Sequence, residues 1–357
     1  MRIRAAVEDQ MYGRAHSAFL GAVLAALSKL YCAALYLRHI VYKLRIVRGK
    51  ALPCKVISVG NITLGGTGKT PAVIALGGFL ATRGKKPVIV SRGYGRRDES
   101  KLLVVSDGST VLVDAANGGD EPVLIGSRLT GIPVVAGADR FEAAGYAIGR
   151  FKSNVVILDD GFQHLKLRRE LDIVLVDATD PFGNGKLFPA GILREPISSL
   201  RRAQAVIITK ADQSASLDAL KATIRQNTAA RIFTSFQRPV DVINIRTNET
   251  RQLSVLLSAK TLAFSGIARP ASFASLLKAL GAIISEEFIY PDHYAFHKSD
   301  LAAIFQKAAD ARVAMIVTTE KDAVRLKPLN PEGIWALRID LTLVEHDEWE
   351  QFLIDNL

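Results

Sequence analysis

The chain has 357 residues, with 46 Lys and Arg against 35 Asp and Glu, 2 Cys and 49% hydrophobic residues. That length allows about two domains with cores of their own, and the composition excludes collagen-like, disulfide-scaffold and wholly disordered classes. A net charge of +11 draws the protein to anionic partners: nucleic acid, an acidic membrane face or a phosphorylated substrate.

Residues 17–36, SAFLGAVLAALSKLYCAALY, amount to one bilayer width of mostly apolar helix former, interrupted by Lys29. A basic flank follows: Arg38, His39, Lys43, Arg45, Arg48 and Lys50. Tyr31, Tyr36 and Tyr42 stand in or near it, as suits a membrane interface. Glu8 and Asp9 argue against a cleaved signal peptide. A single-pass span and a helix lying among the headgroups, with Lys29 snorkelling, both fit. A buried core helix is the plainer alternative. If the helix spans, the basic excess after it places the following domain in the cytoplasm. Cys32 and Cys54 lack the spacing of a zinc site and cannot build a disulfide framework, which points to a reducing compartment.

Residues 54–60, CKVISVG, read as an apolar strand, followed by a glycine-rich loop and a helix over 71–82. Further strands are expected at 86–91, 132–137, 155–160, 172–177 and 205–209, and a hairpin at 102–105 and 110–113 around an Asp-Gly turn. Continuous apolar strands alternating with helices predict an α/β fold, P-loop NTPase-like, with a mostly parallel sheet covered by helices on both faces. A smaller C-terminal α/β lobe begins near Phe236, with strands at 261–266, 282–290 and 314–319. The expected division is 1–50 for the extension and apolar helix, 51–235 for the core and 236–357 for the lobe.

In such sheets ligands bind at the carboxyl ends of the strands, and the polar motifs fall there. Thr63, Leu64, Gly65, Gly66, Thr67, Gly68, Lys69 and Thr70 form a phosphate-binding loop between a strand and a helix. Thr63 stands where the usual pattern has its first glycine. Lys69 can reach terminal phosphates, and the Thr70 hydroxyl suits Mg²⁺. Asp159 and Asp160 close an apolar strand, where a metal-binding carboxylate belongs beside such a loop. Adjacent strand residues point to opposite faces, so one can approach a metal while the other caps the loop. Asp120 and Glu121 open a helix and read as general base and metal-associated carboxylate, against a plain N-cap. His293, in a Pro-Asp-His-Tyr stretch, suits proton transfer near neutrality, against a structural hydrogen-bonding role. Arg92, Arg140 and Arg194 follow strands or loops on the same edge and suit phosphate. Gln163 and His164 add polar groups for a sugar. Thr209-Lys210-Ala211-Asp212 and Thr319-Glu320-Lys321-Asp322 are short candidates for contacting a nucleotide base.

The ordered set VGNITLGGTGKTP, SRGYGR, GDEP, DDGFQH, PAGILREP, PDHYAF and TTEKDAVRL resembles the tetraacyldisaccharide 4'-kinases, the lipid A kinases of Gram-negative bacteria. The resemblance runs from about residue 18 to near the C-terminus. It implies a P-loop core, a smaller C-terminal lobe and an N-terminal membrane-associating helix. It implies transfer of the γ-phosphate of ATP, with Mg²⁺, to the 4'-hydroxyl of an anionic acylated disaccharide 1-phosphate, giving lipid IVA. The place of work is the cytoplasmic face of the inner membrane, without nucleic acid or an obligate protein partner. The Thr63 departure belongs to the family pattern. Carried over, Asp120 and His293 are the catalytic dyad, and Thr63 to Thr70 hold ATP. Thr70, Glu121, Asp159 and Asp160 serve the metal. Arg92, Arg140, Gln163, His164 and Arg194 serve the substrate. The enzyme must go to its lipid, because withdrawing acyl chains costs about 0.8 kcal/mol per CH₂. Two other classes compete. A membrane-tethered sorting or regulatory ATPase would carry a lysine where this chain has Leu64. A nucleic-acid-binding NTPase would carry a recognition motif, and none is present.

Overall fold

The computed structural model describes residues 7, 9–12 and 17–357. Glu8 and most of the extension expected before the apolar helix lie outside the described residues. Helix α1, Ala18–Lys43, is capped by the Ser17 side chain, which accepts from the Leu20 amide, and it runs past Tyr36 through the basic flank. Only Leu24 and Leu35 of this helix are buried.

The chain then builds one sheet. In order come β1 (Lys55–Asn61), α2 (Lys69–Thr82), β2 (Pro87–Ser91), β3 (Leu103–Ser106), α3 (Asp120–Arg128), β4 (Val134–Ala136), α4 (Arg140–Phe151), β5 (Val155–Asp159), β6 (Leu171–Asp177), β7 (Ala205–Thr209) and α5 (Leu217–Asn227). There follow β8 (Arg231–Asn244), β9 (Thr250–Gln252), β10 (Lys260–Ser265), α6 (Pro270–Ala279), β11 (Ile283–Ile289), α7 (Lys298–Asp310), β12 (Met315–Thr319), α8 (Glu320–Leu326), β13 (Ile334–Leu343) and α9 (His346–Asn356). The spatial order is β11-β10-β12-β13-β8-β7-β6-β1-β5-β2-β4-β3, with β9 on β8. Strands β5, β6 and β7 are buried at every position. Burial on both faces is why they read as continuous apolar runs rather than alternating ones.

Two features depart from the sequence reading. The Asp-Gly turn forms, with Asp107 Oδ1 accepting the Ser109 and Thr110 amides at 2.8 Å. Its second arm, however, is reduced to a bridge between Ser106 and Val111 and a bond from the Leu112 amide to Val105 O at 2.8 Å, and β3 also pairs antiparallel with β4. The second feature is β8. Its first residues, Arg231 to Thr234, pair parallel with β7, and Ser235 to Asn244 pair antiparallel with β13. The expected division near Phe236 therefore falls inside one unbroken strand. Pro239 sits at the register shift in that pairing, where a bulge accommodates a residue that cannot donate to the ladder.

Candidate active site

The phosphate loop is shaped by its neighbours. Thr63 forms an antiparallel bridge with Leu193, and the Leu64 amide donates to Ile192 O at 2.7 Å. Thr63 is therefore a bridged residue with ordinary backbone angles, and a side chain is tolerated there. Gly68 is different: it takes φ 87 at the start of α2, a left-handed conformation glycine adopts freely. It carries no side-chain cap, so the first amides of α2 remain free for an anion. Lys69 Nζ donates to Asn61 Oδ1 at 3.3 Å and lies 3.8 Å from Asp160 Oδ1.

The adjacent aspartates diverge. Asp159 is buried and accepts from Ser91 Oγ at 3.0 Å on Oδ2, while its Oδ1 is buried without a partner. Burial, with Glu121 and Asp160 nearby, pushes its carboxyl up to about 7. Asp160 has φ 53 and accepts from Arg194 Nη1 at 2.8 and 3.0 Å. Burial pushes Asp160 up as well, but Lys69 and Arg194 outweigh it and hold the carboxyl below the ordinary aspartate value.

Helix α3 begins at Asp120 because Gly119, with φ 87, lets the chain turn against the Ser91–Arg97 loop. A Cβ on Gly119 would come within 3.3 Å of Gly93 Cα and Tyr94 O. From the C-terminal lobe, His293 Nδ1 donates to Asp120 Oδ2 at 2.8 Å, and that bond raises the imidazole above its ordinary value. Tyr94 meets the His293 ring edge-on, with centroids 6.4 Å apart. Arg325 and Lys321 of α8 complete the cluster. Arg325 Nε pairs with Asp120 Oδ2 at 3.0 Å, and Lys321 Nζ donates to Glu121 Oε1 at 2.8 Å. Burial pushes Glu121 up, yet Lys321 and Lys69 hold it below the ordinary glutamate value.

A cleft of about 430 Å³ joins these parts; Gly65 to Thr70, Glu121, Lys321 and His293 line it. Asp120 is bonded to His293 at its border. Arg92, Arg140, Gln163, His164 and Arg194 do not line this cleft. Arg92 is exposed and pairs with Glu99 at 3.4 Å. Arg140 is buried, and its Nε has no partner; burial first, then Arg92, lowers its pKa. Gln163 Nε2 donates to Asn61 O at 2.9 Å, but its Oε1 is buried and unpartnered, as is His164 Nε2. Burial, then Arg140, lowers His164 to about 4. Arg140 and His164 interact electrostatically, and these unpaired atoms are sealed from solvent.

Of the candidate base contacts, Lys210 is buried and donates to Asp177 Oδ2 at 2.6 Å. Asp322 accepts from Thr319 Oγ1 at 2.6 Å and from the Gly266 amide at 3.0 Å. Glu320 accepts from Arg128 Nη1 at 2.7 Å. The Thr319–Asp322 stretch thus ties α8 to α3 and to the lobe. No signal in the sequence marked Arg325 or Lys321 as partners of the acidic pair, because that contact depends on α8 meeting α3.

Helix α1 lies against the loop that carries Arg194. Ser28 Oγ donates to Leu187 O at 2.9 Å, and Tyr31 OH donates to Arg194 O at 2.8 Å. Arg38 reaches the fully buried Glu195 at 3.3 Å, which Arg202 Nη2 also meets at 2.6 Å. The opposite side exposes Phe19, Val23, Leu27, Leu30 and Leu37, with Phe19 at 82%. The helix is long and apolar enough to cross a membrane.

A family model described as tetraacyldisaccharide-1-P 4'-kinase matches residues 20–357. A tetraacyldisaccharide 4'-kinase of Syntrophus aciditrophicus is 40% identical, over 93% of this chain and 92% of its own length. One from Anaeromyxobacter dehalogenans is 42% identical over 87% of this chain and 82% of its own. A crystal structure of LpxK from Aquifex aeolicus in complex with ATP superposes with a TM-score of 0.79 at 31% identity, covering 94% of this chain and 99% of that one.

Proposed function

The chain belongs to the tetraacyldisaccharide-1-P 4'-kinase family, and on that premise we propose how its residues divide the work. The protein is an ATP-dependent kinase that phosphorylates the 4'-hydroxyl of tetraacyldisaccharide 1-phosphate, in lipid A biosynthesis. The observation that carries the division is the shared cleft. Lys69, Glu121 and His293 border one space, and His293 holds Asp120.

ATP sits on the α2 N-terminus, with Lys69 on its terminal phosphates. Asp120 accepts the proton of the attacking hydroxyl, and His293 orients it. Mg²⁺ fits this site by chemistry: Asp159 carries a buried carboxylate oxygen without a partner. Among the described residues no three His, Cys, Asp or Glu side chains form a ready cage, which suits an ion that binds through one or two carboxylates and substrate phosphates. Asp159 and the Thr70 hydroxyl would hold it, and it would neutralise charge on the transferring group. Glu121 and Asp160 already face Lys321, Lys69 and Arg194, and serve to set those cations. Arg92, Arg140, Gln163, His164 and Arg194, which lie outside the shared cleft, serve the polar end of the lipid. The nucleotide site is carried by the part of the sheet before β8, and the part after β8 supplies His293, Lys321 and Arg325.

Helix α1 lies in the interface of the inner membrane, at its cytoplasmic face. Its inner side is fastened from Ser28 to Arg38 while its outer side is apolar; spanning would forfeit those contacts. The sorting-ATPase reading finds no support, since Leu64 replaces its lysine. The test is radiolabelled ATP with tetraacyldisaccharide 1-phosphate in detergent micelles. A labelled lipid carrying a second phosphate is expected, and none would refute the assignment.

A further inference from the structure

Resting on the assignment of Asp120 as base, we infer that Arg325 is a positioning residue: with His293 it occupies one carboxylate oxygen of Asp120 and leaves the other to receive the proton. Both cationic groups approach the same atom. His293 Nδ1 is 2.8 Å from Asp120 Oδ2, and Arg325 Nε is 3.0 Å from it. Among the described residues Asp120 Oδ1 has no hydrogen-bond or ion-pair partner, and it is not among the buried unpartnered atoms.

Arg325 is built into the lobe rather than draped on it. Its side chain is 6% exposed. Nη1 and Nη2 each donate to Gly266 O at 3.1 Å, and Nη1 also donates to Tyr294 O at 3.2 Å. Nη1 pairs with Asp322 Oδ1 at 3.2 Å, and Asp322 is itself held by Thr319 and the Gly266 amide. The guanidinium is thus fixed in place, with Nε turned to Asp120. The Nε contact is an ion pair rather than an aligned hydrogen bond, and such contacts commonly tighten when substrates bind. A guanidinium stays protonated throughout, so Arg325 moves no proton itself. It fixes the plane of the carboxylate and joins the two parts of the chain at that atom, because Asp120 precedes β8 in the sequence and both of its partners follow it.

The transfer then reads atom by atom. The 4'-oxygen bonds to the γ-phosphorus as the bond from that phosphorus to the β,γ-bridging oxygen breaks. The bridging oxygen leaves on ADP with the electron pair. The hydroxyl proton passes to the free Asp120 oxygen and from there to solvent.

A double-mutant cycle tests this. Arg325→Met and Arg325→Lys are introduced into the parent and into Asp120→Asn. Each protein is read by single-turnover transfer of labelled phosphate to tetraacyldisaccharide 1-phosphate, with ATP affinity measured separately. Arg325→Met should lower the parent rate about 100-fold, lower the Asp120→Asn rate less than about threefold, and leave ATP affinity within about threefold. Arg325→Lys should recover about tenfold of that loss. Equal losses in both backgrounds, or no loss in the parent, overturn the inference. If the Met variant fails to bind ATP, the Lys variant carries the cycle on the same criterion: a loss in the parent and none in Asp120→Asn. A parent that labels no lipid overturns the underlying assignment and the inference with it. An active parent with an additive cycle overturns the inference alone.

Discussion

Tyr31 and Arg194 join the apolar helix to the phosphate loop: the Tyr31 hydroxyl donates to the Arg194 carbonyl at 2.8 Å, and the Arg194 guanidinium grips Asp160 at 2.8 and 3.0 Å. Asp160 in turn faces Lys69 at 3.8 Å. Arg194 therefore meets helix α1 through its backbone and, through its side chain, the carboxylate that faces the phosphate-loop lysine.

Removing that hydroxyl should be felt first by the lipid. Tyr31→Phe deletes one hydrogen bond, worth about 1 kcal/mol, and loosens the loop that aims Arg194. The KM for tetraacyldisaccharide 1-phosphate should rise several-fold with the KM for ATP unchanged. Steady-state kinetics in mixed micelles decides, and an equal rise in both constants would argue against this route.

The outer face of α1 offers a cleaner test of membrane attachment. Leu30 is 69% exposed, so Leu30→Glu should leave the fold intact. Burying a leucine in an apolar phase gains about 1.5–3 kcal/mol. Flotation with anionic vesicles should therefore show affinity falling about tenfold or more, while the melting temperature stays put. Undiminished flotation would mean that this face does not meet lipid.

Asp159 should make the metal-free protein sensitive to pH. Its carboxyl binds its proton more tightly folded than unfolded, so stability falls as pH climbs from the ordinary 3.8 to about 7 and stays low above that. Asp159→Asn removes the penalty. At pH 8 the metal-free variant should resist urea better than the parent, and Mg²⁺ should stabilise the parent but not the variant. A parent indifferent to Mg²⁺ would count against Asp159 as a ligand.

His293 titrates in the same sense, over a higher window. Its pKa is raised above 6.5 by the bond to Asp120. The stabilisation it lends is full below 6.5 and is lost as pH rises through the raised value. In Asp120→Asn the imidazole pKa should move down, as read from the ring resonances by NMR. Phosphoryl transfer should fall by about 10²–10⁴-fold in that variant. An unmoved resonance would mean the pair is not formed in solution.

Much of this was legible in the sequence because strand ends carry the chemistry. The apolar runs before Asp159 and before the Gly65–Lys69 loop marked both the sheet and its ligand edge, since a strand buried on two faces must be apolar and its end must be polar. Strands β8 and β13 were missed for the converse reason. The β8 segment RIFTSFQRPVDVIN alternates burial and contains Pro239, which reads as a loop until a partner with a bulge is supplied. Lys321 was singled out only as a nucleotide contact and Arg325 only within a motif; their pairing with Glu121 and Asp120 was hidden, because it depends on tertiary packing bringing α8 to the acidic pair. The hairpin forms only as far as the Ser106–Val111 bridge and the Leu112 amide bond to Val105 O, and β3 takes β4 on its other edge.

Strand β8 also limits how the molecule can be taken apart. Severing the chain at residue 235 would leave a four-residue stub of β8 as the margin of the β7 side and the remainder of β8 as the margin of the β13 side, each cut off from the strand that continues it. Each fragment would then present a raw margin primed to stick to any passing strand. Neither half is a detachable cartridge. Any ancestor that lacked one of them must have finished its border differently, and a chimera that swaps lobes will succeed only if the graft carries the whole of that shared seam.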